Sequence, residues 1–257
     1  MEMETYENGV PSWVELGAPD PTAAGAFYAG LFGWTVNPGP PEAGGYIVAE
    51  LNGRSVAGIG SQQNPAPPVW ATYINVDDAD ATAAAITAAG GTVMMPPTDV
   101  MDVGRMAIFT DPVGAVCGLW QPGTHTGAGI VNEPGAYSWS ELVTTDIPAS
   151  KAFYGAVFGW DGDTMGGDGP GAYTEWKLGG RPIGGMMAKP PTMPEHVPPH
   201  WGVYFAVADT DASVARATEL GGSVLMAPMD IEPGRFAVLA DPAGASFNVI
   251  AMKPVAS

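Results

Sequence analysis

The chain has 257 residues, enough for one large domain or two ordinary ones, and with 46% hydrophobic residues each half can bury a core of its own. Its formal charge of -18, from 9 Lys+Arg against 27 Asp+Glu, repels phosphate backbones and anionic lipid, so neither nucleic acid nor membrane is an expected partner. A single cysteine, Cys117, excludes an intrachain disulfide framework. With no signal-like start and no apolar run of membrane-spanning length, a cytoplasmic protein is the expectation.

Residues 12–18 suit a half-buried strand, with Val14 and Leu16 on one face and Trp13 and Glu15 on the other. Asp20 then caps a helix that has Pro21 in its first turn and that Gly33 stops. Residues 46–51 and 55–59 read as a hairpin around Asn52-Gly53, a strong type I′ signal. A strand at 70–76 and an alanine-rich helix at 78–89, closed by Gly90-Gly91, come next. Strands at 92–95, 105–110 and 115–120 complete the pattern, the last two joined by the turn Asp111-Pro112-Val113-Gly114.

The opening stretch is written twice. Ser12-Trp13-Val14-Glu15-Leu16, Asp20, Phe27-Tyr28 and Phe32-Gly33-Trp34 return as Ser138-Trp139-Ser140-Glu141-Leu142, Asp146, Phe153-Tyr154 and Phe158-Gly159-Trp160. The rest follows suit: strand 139–144, helix 148–158, hairpin 173–178 and 182–187, a proline-rich loop at 189–200, strand 201–207, helix 211–220, then strands 223–226, 235–240 and 246–252. The chain is therefore read as α+β, with modules at 1–122 and 137–257 and a linker at 123–136 that has little to pack. Each module holds two βαβββ units.

Phe27-Tyr28 near the end of the first helix, Phe32-Gly33-Trp34 after it and the closing Asp111-Pro112-Val113-Gly114 resemble, as a set, the vicinal oxygen chelate superfamily. That superfamily groups glyoxalase I, extradiol dioxygenases and bleomycin-type drug-binding proteins, and the layout is most similar to its tandem glyoxalase-like members. The resemblance implies that the paired units of a module curl into an open, cup-shaped sheet, and that the two modules form an internal pseudo-dimer, in a monomer or weak homodimer. In metal-using members, His, Glu or other polar ligands reach into the cup from several strands, and the metal polarises substrate or activates dioxygen.

Carried over by spacing, the first ligand position falls on Trp13 and Trp139, the next unit's on Ala71 and Gly202, and the final strand's on Gly118 and Asn248. These side chains suit a divalent cation poorly, so no metal is expected at the usual site. A Zn, Ni, Fe or Mn ion on atypical ligands is the alternative, with His200 beside Glu141 and Glu175 at a rim. His125 in the linker and His196 and His200 in the proline-rich loop otherwise read as solvent-exposed.

Glu15 and Glu141 sit on the face of their preceding tryptophans, where a carboxylate needs a partner. Two readings stand: structural ion pairs with Arg54 and Arg181, or polar anchors and general bases in a pocket. Strand parity assigns ligand contact to Trp13, Tyr73, Asn75 and Trp120 in the first cup and to Trp139, Tyr204 and Asn248 in the second. The tryptophans serve equally well as plugs. By the same parity Cys117 faces the helices as a small buried hydrophobe. No phosphate loop, Ser-His-Asp set or CxxC pair occurs. A small-molecule binder is the leading expectation. An isomerase, lyase, dioxygenase or hydroxylase with Glu15 and Glu141 as catalytic groups comes next, then a non-catalytic interaction protein.

Overall fold

A computed structural model describes residues 1–39, 44–62, 67–167, 169 and 171–253. The first module comprises β1 (Pro11–Ala18), α1 (Pro21–Phe32), β2 (Thr35–Pro38), β3 (Ile47–Leu51) and β4 (Arg54–Ser61), then β5 (Val69–Asn75), α2 (Ala79–Ala88), β6 (Thr92–Val100), β7 (Gly104–Thr110) and β8 (Val116–Pro122). The second comprises β9 (Tyr137–Thr144), α3 (Ile147–Phe158), β10 (Thr164–Met165), β11 (Tyr173–Leu178) and β12 (Arg181–Ala188), then β13 (His200–Ala206), α4 (Thr210–Glu219), β14 (Ser223–Asp230), β15 (Gly234–Ala240) and β16 (Ser246–Met252). Each module is one eight-stranded open sheet, ordered β2-β3-β4-β1-β5-β8-β7-β6 and β10-β11-β12-β9-β13-β16-β15-β14. The α+β class and the tandem of paired βαβββ units therefore hold.

Local chemistry accounts for the boundaries. Asp20 Oδ1 accepts from the Thr22 and Ala23 amides at 3.0 Å each, and Gly33 ends α1 at φ 76°. Asp146 and Gly159 repeat both devices on α3. Asn52 and Gly53 take φ 54° and 75°, as the type I′ turn requires. Strand β6 is longer than its sequence suggests and runs through Pro96-Pro97 to Val100. It tolerates proline because it forms the sheet edge and has register shifts against β7.

The expectation of one core per module is overturned. One apolar cluster joins α1 and β1–β4 (Phe27, Tyr28, Phe32, Ile59) to the far half of the second module (Phe205, Phe247, Val249, Ala217). The other joins α3 and its strands (Phe153, Tyr154, Trp176, Met186) to the far half of the first (Ile86, Phe109, Cys117, Leu119). Backbone pairing thus runs within a module, while side-chain burial runs across the pair. Cys117 lies fully buried on the helix side, with Sγ 3.2 Å from Thr72 O.

Polar bonds lock the exchange. Tyr28 Oη donates to Asp241 Oδ2 and Tyr154 Oη to Asp111 Oδ2, both at 3.2 Å. Trp70 Nε1 donates to Tyr28 Oη at 2.9 Å and Trp201 Nε1 to Tyr154 Oη at 3.0 Å. Each aspartate spends Oδ1 on its own turn: Asp111 accepts from Val113, Gly114 and Ala115, and Asp241 from Ala243 and Ala245. The second oxygen is thereby left for the opposite helix.

The segment at 123–136 is also packed, contrary to its reading as a bare linker. Ala128, Ile130 and Val131 are buried, and their amide neighbourhood is tied down by Ala128 N to Ser12 O at 2.8 Å and Val131 N to Met1 O at 2.9 Å. Gly127, at φ 110°, allows the chain to approach Ser12 so closely that a Cβ would strike its carbonyl.

Because the cores are shared, urea is expected to unfold both modules in one transition, with far-UV circular dichroism and tryptophan fluorescence coincident. Tyr154→Phe should lower stability by about 1–2 kcal/mol by stranding the Asp111 and Trp201 partners. Two separated transitions would contradict shared cores.

Candidate functional site

The concave faces carry a repeated carboxyl. On the first, Glu15 pairs across β1–β4 with Gly58 and across β1–β5 with Ala71, so these residues share a face. Tyr46 Oη donates to Glu15 Oε2 at 2.7 Å, Tyr73 Oη to Oε1 at 3.3 Å, and Trp13 Nε1 to Tyr46 Oη at 3.3 Å. On the second, Glu141 pairs with Gly185 and Gly202. Tyr204 Oη donates to Glu141 Oε1 at 2.9 Å, and Trp139 Nε1 donates to Tyr173 Oη at 3.2 Å. Glycine is needed beneath the tyrosines, because a Cβ on Gly58 or Gly185 would overlap the Tyr46 or Tyr173 hydroxyl.

Burial governs the electrostatics. Desolvation raises the Glu15 pKa against the lowering effect of its two tyrosine bonds. Glu141, 8% exposed, is pushed from the ordinary 4.5 up to about 7 by the same desolvation, with Tyr204 and Tyr173 pulling the other way. Among the described residues no cation pairs with either carboxyl. The ion-pair reading fails because parallel pairing sets Glu15 opposite Gly58 rather than opposite Arg54. Arg54 instead pairs with Glu2 and Arg181 with Glu7, which pins the N-terminal segment.

The other expected contacts divide. Trp13, Tyr73 and Trp120 are gathered in the first cup and nearly buried, at 3%, 3% and 6% exposure. Trp139 and Tyr204 lie beside Glu141, with Trp139 partly exposed. Asn75 is drawn away from the carboxyl: its Nδ2 donates to Tyr6 O and Glu7 O at 3.0 and 3.3 Å. Asn248 turns its Nδ2 to Val203 O at 3.1 Å. His125 is not a solvent-exposed loop residue, since its ring is held against Trp13 and Trp120. Tyr46 and Tyr173 escaped the parity list, although each opens its hairpin at the same distance ahead of Asn52-Gly53 and Gly179-Gly180. Two open clefts, of about 430 Å³ beside Thr144, Lys189 and Glu195 and about 210 Å³ beside Asp99 and Gln121, include neither carboxyl.

The donors do not fit the superfamily's metal. On the hairpin strands the residues opposite the carboxyls are Gly58 in one cup and Gly185 in the other, which offer no ligating side chain. The remaining positions hold Ala71 and Gly118, or Gly202 and Asn248. The rim set is not assembled: His200 opposes Val143 and bonds Pro198 O at 2.8 Å, while Glu175 lies 3.6 Å from Lys177. Among the described residues no group of three His, Cys, Asp or Glu side chains could hold a metal ion.

Glu141 supplies a pH test. Its raised pKa favours the folded state fully below about 4.5, and the contribution is lost as pH climbs through about 7. The stability advantage of Glu141→Gln over the parent should therefore widen by about 3 kcal/mol between these limits and stay level above them. Urea titrations across this range measure the gap, and a constant gap would mean that the carboxyl ionises normally.

Comparison with known proteins agrees with this architecture. Residues 11–117 match the glyoxalase/bleomycin resistance protein/dioxygenase superfamily, and residues 141–250 match a glyoxalase-like domain. CFP32 of Mycobacterium tuberculosis, which carries a provisional glyoxylase name, is 46% identical over 97% of both chains. DnrV of Streptomyces peucetius, named as an anthracycline biosynthesis protein, is 40% identical over 98% of this chain and 96% of its own. Among solved structures, the Mn(II)-bound glyoxalase from Novosphingobium aromaticivorans superposes with TM-score 0.66 at 16% identity, covering 95% of this chain and 83% of that one. The 2,3-dioxygenase LapB from Pseudomonas sp. KL28 gives 0.67 at 15% identity, covering 98% and 96%. Those two likenesses concern fold alone. With the relatives matching end to end and both modules recognised, the chain belongs to the glyoxalase/bleomycin resistance protein/dioxygenase superfamily.

Proposed function

We propose that the protein binds a small, partly aromatic or apolar molecule on its concave surface without the divalent metal of its enzyme relatives. The observation that carries this reading is the Glu141 assembly. It is a buried carboxyl with two tyrosine hydroxyls and a partly exposed tryptophan, set among glycines where ligating side chains would stand. Aromatic walls with a few fixed polar groups suit recognition of planar, oxygenated compounds. The relationship to DnrV, named for anthracycline biosynthesis, supports a fused-ring ligand.

One observation favours a second reading, that of an acid–base enzyme. A carboxyl whose pKa lies at about 7 can accept and return a proton at neutral pH, and the Tyr173 and Tyr204 hydroxyls can hydrogen-bond an oxygen that gains charge. No helix among the described residues is long and apolar enough to cross a membrane.

Titrating the protein with an anthracycline should give saturable quenching of tryptophan fluorescence. Elemental analysis of protein prepared without chelator should find Zn, Ni, Fe and Mn far below one equivalent. Glu141→Ala should weaken the quenching by about tenfold. Stoichiometric metal that disappears in Glu141→Ala, with turnover lost alongside it, would overturn the metal-free reading.

A further inference from the structure

The two concave faces differ in what stands against the first tryptophan of each. In the first, the His125 ring lies edge-on to Trp13, with centroids 4.4 Å apart at 80°, and 5.6 Å from Trp120. Its backbone is fixed there: His125 N donates to Val103 O at 3.0 Å, and Trp120 Nε1 donates to His125 O at 2.8 Å. Among the described residues its buried Nε2 has no hydrogen-bond partner, and the ring packs against the two indoles. Burial also pushes its pKa down, which keeps the imidazole neutral.

The second face keeps the tryptophan and the tyrosine of this seat, replaces its second tryptophan by an aliphatic residue and lacks the histidine. Trp139 stands for Trp13 and Tyr204 for Tyr73, while Ile250, paired with Phe236, stands for Trp120, paired with Met106. Tyr204, Phe236 and Ile250 form an apolar floor against which the partly exposed Trp139, Met226 and Val238 pack. Among the described residues no ring meets Trp139 as His125 meets Trp13. The position following Ile250 as His125 follows Trp120 is Val255, which has no ring and lies outside the described residues.

We propose that His125 is a built-in occupant of the ring subsite of the first cup, and that the same subsite in the second cup takes the ligand. That ligand carries a flat, neutral aromatic or heteroaromatic ring set against Trp139 and a polar group directed at Glu141 and Tyr173. The inference rests on the small-molecule reading above and adds which cup is used, how many ligands bind and what ring class is favoured. The imidazole over Trp13 indicates the size and charge of what the seat accepts.

Isothermal titration of the full chain with benzimidazole tests the assignment. The parent should take up one equivalent, and Trp139→Ala should weaken this by about tenfold. His125→Gly, or His125→Ala where glycine prevents folding, empties the first seat. That variant should take up a second equivalent and should gain a saturable rise in Tm from free imidazole that the parent lacks. Two equivalents on the parent, or binding kept in full by Trp139→Ala, would overturn the assignment. Failure of His125→Gly and His125→Ala to bind imidazole would overturn the built-in occupant. No uptake by the parent together with imidazole binding by His125→Gly would overturn the second-cup site and the small-molecule reading with it, and would leave the occupied first seat standing.

Discussion

The structure depends on two apolar cores, each assembled from half of one module and half of the other. The repeated Phe-Tyr and Asp-Pro-x-Gly motifs are the two sides of that exchange. A buried tyrosine hydroxyl needs an acceptor, and the only aspartate oxygen not engaged by the turn amides is the one facing the opposite helix. The motif pair that marks the superfamily in sequence thus acts, in this chain, as an inter-module clasp.

This clasp also sets what remains for function. The helix-facing side of each sheet is consumed by the shared cores, with Leu16, Cys117, Leu142 and Phe247 all buried there. The opposite, concave side keeps Glu15 and Glu141 among glycines and tyrosines. An unpaired carboxylate in that setting would cost several kcal/mol, so the tyrosine hydroxyls and the upward pKa shifts are two parts of one response to burial. The same glycines that admit the tyrosine rings carry no side chain that could ligate a metal.

Much of this was legible in the sequence where the governing physics is local. The helix caps at Asp20 and Asp146, the Asn52-Gly53 turn and the shared face of Trp13 and Glu15 all follow from neighbours a few residues apart. What escaped is set by pairing at a distance. The true partners of Arg54 and Arg181 depend on the parallel register of β1 with β4 and β9 with β12, which no spacing rule supplies. Apolar composition counted residues enough for two cores but carried no information on which halves would meet. His125 looked like a loop residue because its neighbours are Thr, Gly and Pro; its burial comes from Trp13 and Trp120, contributed by separate strands.

The packed connector between the modules has a wider consequence. In a symmetric pair of identical chains, a histidine laid over one cup would be laid over both, and neither could be altered alone. Joining the copies end to end breaks that equivalence, because the joining peptide exists only once and dresses a single concave face. Covalent fusion has given a nearly two-fold object a front and a back, so its twin hollows are free to drift toward separate tasks.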